Sequence, residues 1–377
     1  MENKHTISDL RQMQSLPLQA KIQMTRQRIR AWIDEFGEDG VYVSFSGGKD
    51  STVLLDIVRK DYPNIEAVFV NTGLEYPSVR QFALSKENVT ELRPKMNFRD
   101  VIIKYGYPII SKEVSKRVYE YRKYENTDRL KETCAYKEFN GIRKMPCGEK
   151  SYYNKECYKF LTESPFIISH FCCLEMKETP CFLHEEKTGS KPIIATMAYE
   201  SKARLNSWLI SGCNAFDSDR QSSQPMSFWT EQDVLTYLHT YNIAIADAYG
   251  QVVVKNDGID GQINIHDYLG NYRGCQYETT GCKRTGCIFC GFGITQDKQR
   301  FIRLSEQEPK LCNYVMRGGE FSESEIWQPS KDGLGYWFVL EWLNVHGNLG
   351  IGIPNRDYYM EKYYMEGNRK YLKLEEN

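Results

Sequence analysis

The chain has no apolar run approaching the roughly 20 residues that a membrane-spanning helix needs. Its first ten residues, Met1 to Leu10, are polar and charged and lack the apolar core of a secretory signal. Neither charge is in surplus: 49 Lys and Arg stand against 50 Asp and Glu, which excludes binding of nucleic acid or membrane by net charge alone. Internal repeats and low-complexity tracts are also missing. These absences leave a soluble, cytoplasmic protein without membrane attachment as the expectation. At 377 residues it has room for one large domain or two ordinary ones.

Cysteine, by contrast, is plentiful, with twelve residues. A reducing compartment disfavours a disulfide framework in a large intracellular chain. Their clustering points instead to metal or iron–sulfur ligation. Cys287 and Cys290 form a C-x-x-C pair flanked by Gly286 and Gly291; Cys282 and Cys275 precede it, and Cys172-Cys173 lies far upstream. A C-x-x-C turn lets two thiolates reach one metal centre. The candidate ligands are therefore Cys172, Cys173, Cys282, Cys287 and Cys290. Zinc is the rival to iron–sulfur, with His170, Cys181 and His184 as further donors, and a metal-free reading remains beside both. Cys134, Cys147, Cys157 and Cys312 read as small buried apolar residues.

The order of elements predicts an α/β protein. Leu18 to Phe36 has apolar residues at helical spacing, with Gly37 as a stop. Val41 to Phe45 reads as a buried strand, Thr52 to Val58 as a helix, Ile65 to Val70 as a second strand, and Pro77 opens another helix. Strand and helix in alternation imply a Rossmann-like parallel sheet with helices on both faces. Ile193 to Met197 adds a strand, Thr230 caps a helix through His239, and Gln251 to Tyr268 resembles a hairpin around Asn256-Asp257-Gly258. The expected organisation is an N-terminal helical segment (1–37), a nucleotide-binding domain (38–250) with a largely helical insertion at about 112–165, and a cysteine-rich metal-binding segment with a helical C-terminal region (251–377).

Between the first strand and its helix lies Ser46-Gly47-Gly48-Lys49-Asp50-Ser51. Two glycines permit close approach to a phosphate, and the helix start favours an anion. Ser44, Ser46, Ser51 and Thr52 add hydroxyls, and Lys49 can neutralise phosphate charge. The G-x-x-x-x-G-K-[ST] spacing of a Walker A loop is absent.

The loop resembles the SGGxDS loop of the PP-loop (adenine-nucleotide α-hydrolase) superfamily. Phe69 to Pro77 resembles the "DTG…(F/Y)P" segment of the phosphoadenosine phosphosulfate (PAPS) reductase family, Cys172 to Pro180 its "CC…K…P" segment, and Ala198 to Arg204 its "ESxxR" segment. The likeness spans roughly Gly40 to Gly293. It implies an adenine nucleotide bound by Ser44, Ser46, Gly47, Gly48, Lys49, Asp50, Ser51, Thr52, Asn71, Thr72, Gly73, Glu200, Ser201 and Arg204. Lys49 would stabilise leaving pyrophosphate and Asp50 would help hold Mg²⁺. The adjacent cysteines with a distant C-x-x-C resemble the [4Fe–4S] pattern of adenylyl sulfate reductases.

The Gly-Gly-Lys-Asp form resembles the ATP-cleaving members and the small subunit of ATP sulfurylase. The reductases' C-terminal "ECGxH" cysteine has no counterpart, the last cysteine being Cys312. The design is closest to DNA-phosphorothioation-type sulfurtransferases, implying ATP-dependent adenylation with pyrophosphate release, coupled to sulfur transfer from a sulfur-donor protein, with nucleic acid among the acceptors. The runners-up are a sulfonucleotide reductase and a nucleotide-sensing regulatory protein without turnover. Arg117, Arg122, Lys123 and Tyr124 interleave cations with aromatics as a nucleic-acid surface would; nearby acidic residues allow a plain solvated face.

Overall fold

In the computed structural model, which describes residues 3–255, 276–363 and 371–372, strand Val41–Ser44 pairs in parallel on both sides. Ala67–Val70 flanks it on one side and Lys191–Ile194 on the other. A strand so enclosed is covered on both faces, which is why Val41, Tyr42 and Val43 are all buried rather than alternating with exposed residues. The six-stranded sheet continues outward through Val89–Leu92 at one edge and through Ser222–Ser223 to Asn214–Ala215 at the other; only the last pairing is antiparallel. The sheet is thus mostly parallel and carries helices, as its alternating sequence pattern predicts.

Helices Leu18–Phe36 and Lys49–Asp61 supply much of the core of this unit. Ile22, Ile29, Trp32 and Ile33 come from the first, and Val53, Leu54, Ile57 and Val58 from the second. Gly37 ends the first helix at φ +78°. Helix Glu231–Thr240 begins with a capping box in which Thr230 and Asp233 bond each other's backbone N–H groups. Asp233 also accepts from the buried Lys21 ammonium at 2.7 Å.

Chain contacts define two compact units that interleave in sequence: Met1–Arg93 with Pro180–Gly286, and Pro94–Thr179 with Cys287–Asn377. A linear division at residues 37 and 250 does not describe this interleaving. The hairpin expected around Asn256-Asp257-Gly258 lies outside the described residues, as does Cys275. What is described is Val252–Val254 pairing antiparallel with Tyr277–Thr279. Among the described residues no helix is long and apolar enough to cross a membrane.

The second unit contains helix Lys112–Tyr124 and the short helix Cys134–Phe139. Its helix Tyr336–Gly347 is buried along its first eight residues, Tyr336 to Leu343. Three of the four cysteines expected as apolar filling, Cys134, Cys147 and Cys157, are exposed, and only Cys312 is buried. The physical reason is that the 128–163 stretch consists of short 3₁₀ and α pieces with few apolar residues to cover a thiol. Charge organises this stretch instead. The fully buried Glu138 carboxylate accepts from Arg117 Nε at 2.9 Å, from Arg143 Nη1, and from Lys155 Nζ at 3.4 Å.

Removing the anion from this knot leaves three cations without their common partner, a loss of about 3 kcal/mol. Glu138→Gln should therefore lower stability by that order in urea titration. A change under about 0.5 kcal/mol, the scatter of ordinary surface substitutions, would show that the knot is solvated and dispensable.

Candidate functional site

The first unit builds its site at the carboxyl end of strand Val41–Ser44, where open α/β sheets bind ligands. The chain turns sharply at Gly47, with φ +70°. A Cβ there would lie 2.9 Å from the Val79 carbonyl oxygen, so both conformation and packing require glycine. Ser46 and Ser51 lock the turn: the Ser51 hydroxyl accepts from Ser46 N–H at 3.2 Å and donates to the Gly48 carbonyl at 3.0 Å. Thr52 donates to the same carbonyl at 2.9 Å. Helix Lys49–Asp61 starts at once, presenting its N-terminus to the loop.

Lys49 is buried, 4% exposed. Its ammonium donates to the Glu231 carboxylate at 2.5 Å and to the Lys283 carbonyl at 2.7 Å. Its backbone N–H donates to the Tyr249 hydroxyl at 3.3 Å, and that hydroxyl bonds Thr285 Oγ1 at 2.7 Å. Asp50 is its opposite. Its Oδ1 is buried with no hydrogen-bond partner among the described residues. Burial pushes its carboxyl above the usual aspartate range and Glu231 adds to this, against the pull of Lys49, Arg284 and Arg204. A buried carboxylate oxygen without a described donor suits a cation.

The other expected nucleotide residues surround two turns of the same unit. Asn71 Oδ1 accepts from Gly73 N–H at 3.2 Å, and Thr72 is held by Glu75 through both its N–H and its hydroxyl. Ser201 caps helix Lys202–Ser211, accepting from Arg204 N–H at 3.2 Å, so its hydroxyl is already structural. Glu200 bonds Arg204 and also reaches Arg284 at 3.5 Å. Ser44 is the last residue of the strand feeding the loop. Glu231, Tyr249, Arg284 and Thr285 were missed in the sequence; they lie far along the chain in segments without a motif.

The second unit gathers four thiols. Cys172 lies against Cys287, Cys173 and Cys290 closely enough that each disfavours its ionisation, after burial as the main cause. Cys173 is raised by burial, then by Cys287. Cys290 is pushed up to about 12 by burial and Cys287. The local folding is legible. Strand Gly291–Phe292 pairs in parallel with Ile109–Ile110, and a Cβ on Gly291 would meet the Pro108 carbonyl oxygen at 2.2 Å. Cys290 N–H closes a turn onto the Cys287 carbonyl at 3.1 Å, and Arg300 holds that carbonyl at 2.6 Å. Cys172-Cys173 leads into a π-helical turn, Leu174–Glu178, before Pro180, whose missing N–H cannot continue an α-helical ladder.

Four neighbouring thiolates repel one another unless a cation neutralises them, so this donor set fits a thiolate-bound metal group. The Tyr336 hydroxyl is fully buried without a hydrogen-bond partner among the described residues, and among the charges acting on it are those of Cys290, Cys172 and Cys287. An orphaned donor beside sulfur suits a sulfur-rich anion. No three described His, Cys, Asp or Glu side chains converge on one point as a single ion requires. Cys282, the fifth candidate ligand, belongs to the first unit, where its N–H donates to the Ala248 carbonyl at 2.8 Å. Cys181 and His184 also belong to the first unit, and His170 to the second.

Of the four tentative nucleic-acid residues, two are committed within their unit. Arg117 pairs with Glu120 and Glu138, and Arg122 donates to the carbonyls of Thr162, Ser164 and Phe166. Lys123 is exposed and sits over the Tyr124 ring at 5.5 Å, with Arg129 at 5.1 Å from the same ring.

The family model of the phosphoadenosine phosphosulfate reductase domain matches residues 40–291. Among solved structures, the chain is similar to the phosphoadenylyl-sulfate (PAPS) reductase from Candida auris in its phosphate complex. The two are 13% identical with a TM-score of 0.33, over 66% of this chain and 92% of that one. No curated protein matches the chain.

The raised Asp50 carboxyl makes stability depend on pH. It favours the native state below the ordinary aspartate range, and that contribution is lost as pH climbs through the raised value. Without nucleotide, Asp50→Asn should raise thermal stability at neutral pH, and the gain should vanish below about pH 4. Melting curves across this range decide it; a neutral-pH loss of stability would mean the Asp50 carboxylate is already paired.

Proposed function

We propose a reading from one premise: the chain belongs to the phosphoadenosine phosphosulfate reductase domain family, and so to enzymes of sulfonucleotide or related sulfur-transfer chemistry. In this reading it binds ATP with Mg²⁺ at Ser46–Ser51 and adenylates an acceptor. The carrying observation is the adjacent pair at the helix start: Lys49 with an exchangeable carboxylate partner, and Asp50 with an unpartnered buried oxygen. A polyphosphate can replace Glu231, which is half exposed, and a magnesium ion can take the Asp50 oxygen.

The chemistry balances without a protein nucleophile. An acceptor oxygen attacks the α-phosphorus, and the α–β bridging P–O bond breaks. Pyrophosphate leaves with the electron pair, stabilised by Lys49, Mg²⁺ and the helix start. A sulfide-class donor then attacks the adenylated centre; the new bond to sulfur forms as the bond to the AMP oxygen breaks, and AMP leaves with the electron pair. Nucleic acid is one acceptor compatible with Lys123, Tyr124 and Arg129 at the surface of the second unit.

Cys172, Cys173, Cys287 and Cys290 would hold a [4Fe–4S] cluster, one thiolate for each iron. That stoichiometry suits thiols which share a neighbourhood without closing on a single point, whereas a tetrahedral zinc needs the tighter convergence. A bound cluster supplies iron able to bind or relay sulfur.

Reduction of a sulfonucleotide finds less support. The reductases use a cysteine of a C-terminal motif, and the last cysteine here, Cys312, lies outside such a motif and is 3% exposed within helix Pro309–Met316, its thiol pushed up to about 11 by burial.

Two measurements test this. Mg²⁺-ATP should raise the melting temperature more than PAPS does, with a concentration dependence that follows mass action, and Lys49→Ala should lose most of that shift. Pyrophosphate release on adding candidate acceptors separates turnover from nucleotide sensing. Thiol-dependent sulfite release from PAPS would instead establish the reductase. For the cluster, anaerobically isolated protein should absorb broadly near roughly 400 nm and contain iron and sulfide. Cys287→Ser should remove the absorption and lower the melting temperature, since metal binding couples to folding. Colourless protein with one bound zinc would replace the cluster by a structural knuckle and leave the nucleotide site standing.

A further inference from the structure

Within Gly281-Cys282-Lys283-Arg284-Thr285-Gly286, the three residues Lys283, Arg284 and Thr285 belong to no motif, yet all three are tied to the proposed nucleotide site. The Lys283 carbonyl accepts from the Lys49 ammonium at 2.7 Å. Thr285 Oγ1 bonds the Tyr249 hydroxyl at 2.7 Å, and that hydroxyl accepts from the Lys49 backbone N–H. Between them, Arg284 extends to the Glu200 carboxylate, Nη2 to Oε1 at 3.5 Å. Glu200 is fixed from behind: its Oε2 accepts from Met197 N–H at 3.2 Å and bonds the Arg204 guanidinium. One carboxylate thus mounts two guanidiniums.

Around the loop Lys49, Arg204 and Arg284 lie among Asp50, Glu200 and Glu231. Two guanidiniums sharing one carboxylate repel each other. Arg204 feels this: burial and then the like charge of Arg284 both lower its hold on its proton. An incoming polyanion relieves that repulsion. Arg284 can turn toward it, since its side chain is 70% exposed and, among the described residues, its ion pair is a single 3.5 Å contact.

We infer that Gly281–Gly286 is a strap over the nucleotide site and that Arg284, mounted beside Arg204 on Glu200, is a ligand of the terminal phosphates of a nucleoside triphosphate. The inference rests on the proposed nucleotide reading and assigns that site a residue that distinguishes a triphosphate from a monophosphate. Guanidinium suits this task because its planar fork donates two parallel hydrogen bonds to one phosphate.

The test is calorimetric titration of the full chain with Mg²⁺-ATP and with AMP, comparing wild type and Arg284→Ala. A charge-assisted hydrogen bond to phosphate corresponds to about a tenfold loss in affinity or more. Arg284→Ala should lose that factor for ATP and leave AMP within roughly twofold, with an unchanged melting temperature in the absence of nucleotide, as expected for an exposed pair. Trypsin supplies an independent readout on the wild type: cleavage after Lys283 and Arg284 should slow when Mg²⁺-ATP is bound. Equal ATP affinity in the two proteins, or equal losses for ATP and AMP, overturns the assignment while leaving the nucleotide site intact. Failure of wild type to bind ATP at all overturns both.

Discussion

The constraint on which the proposed nucleotide site depends is the turn at Gly47. The strand before it is enclosed on both edges and both faces, so the chain has one direction of exit. It must reverse into a helix within four residues, at a positive φ and in contact with the Val79 backbone. Only a residue without a Cβ fits. Once the turn is made, the rest follows from geometry: the helix start faces the ligand side, Lys49 and Asp50 occupy its first turn, and Ser46 and Ser51 stitch the loop to itself. The cost of holding Lys49 at 4% exposure is offset by Glu231, Tyr249 and Lys283, brought from far along the chain.

That division explains what was legible in the sequence. The loop, the strand before it and the helices at 18–36 and 231–240 announce themselves through local periodicity, glycines and caps, and they are where expected. Glu231, Tyr249, Lys283 and Arg284 carry no local signal, because each acts through a partner 35 or more residues away: Lys49 for the first three and Glu200 for Arg284. Glu231 is invisible for a further reason. It opens a capped helix, where an acidic residue is ordinary, and nothing marks it as the partner of a loop lysine.

The thiols show the same limit in a different form. Adjacent cysteines and a C-x-x-C turn were readable as donors, but spacing alone also admitted Cys282, five residues before Cys287. Their grouping depends on the short parallel pairing of Gly291–Phe292 with Ile109–Ile110, a two-residue contact with no hydrophobic period to reveal it. The boundary between the units falls between Cys282 and Cys287, so neighbours in sequence serve different bodies. Exposed Cys134, Cys147 and Cys157 were misread because residue type stood in for environment; a charge knot around Glu138, rather than apolar packing, organises their stretch.

The two sites solve one electrostatic problem with opposite signs. At the loop, Lys49, Arg204 and Arg284 are held by carboxylates that a polyphosphate can displace, and Asp50 keeps an oxygen without a donor. Among the thiols, burial and mutual repulsion disfavour the thiolate, and Tyr336 keeps a hydroxyl without an acceptor. A buried polar atom left unpaired costs about 1–3 kcal/mol, which folding alone gives no reason to retain. Each orphan is complementary to the charge its neighbours require: an acceptor where a cation would accompany phosphate, a donor where an anionic sulfur group would sit among thiolates. Both units therefore hold an unmet interaction whose sign matches the ligand class their charged residues call for.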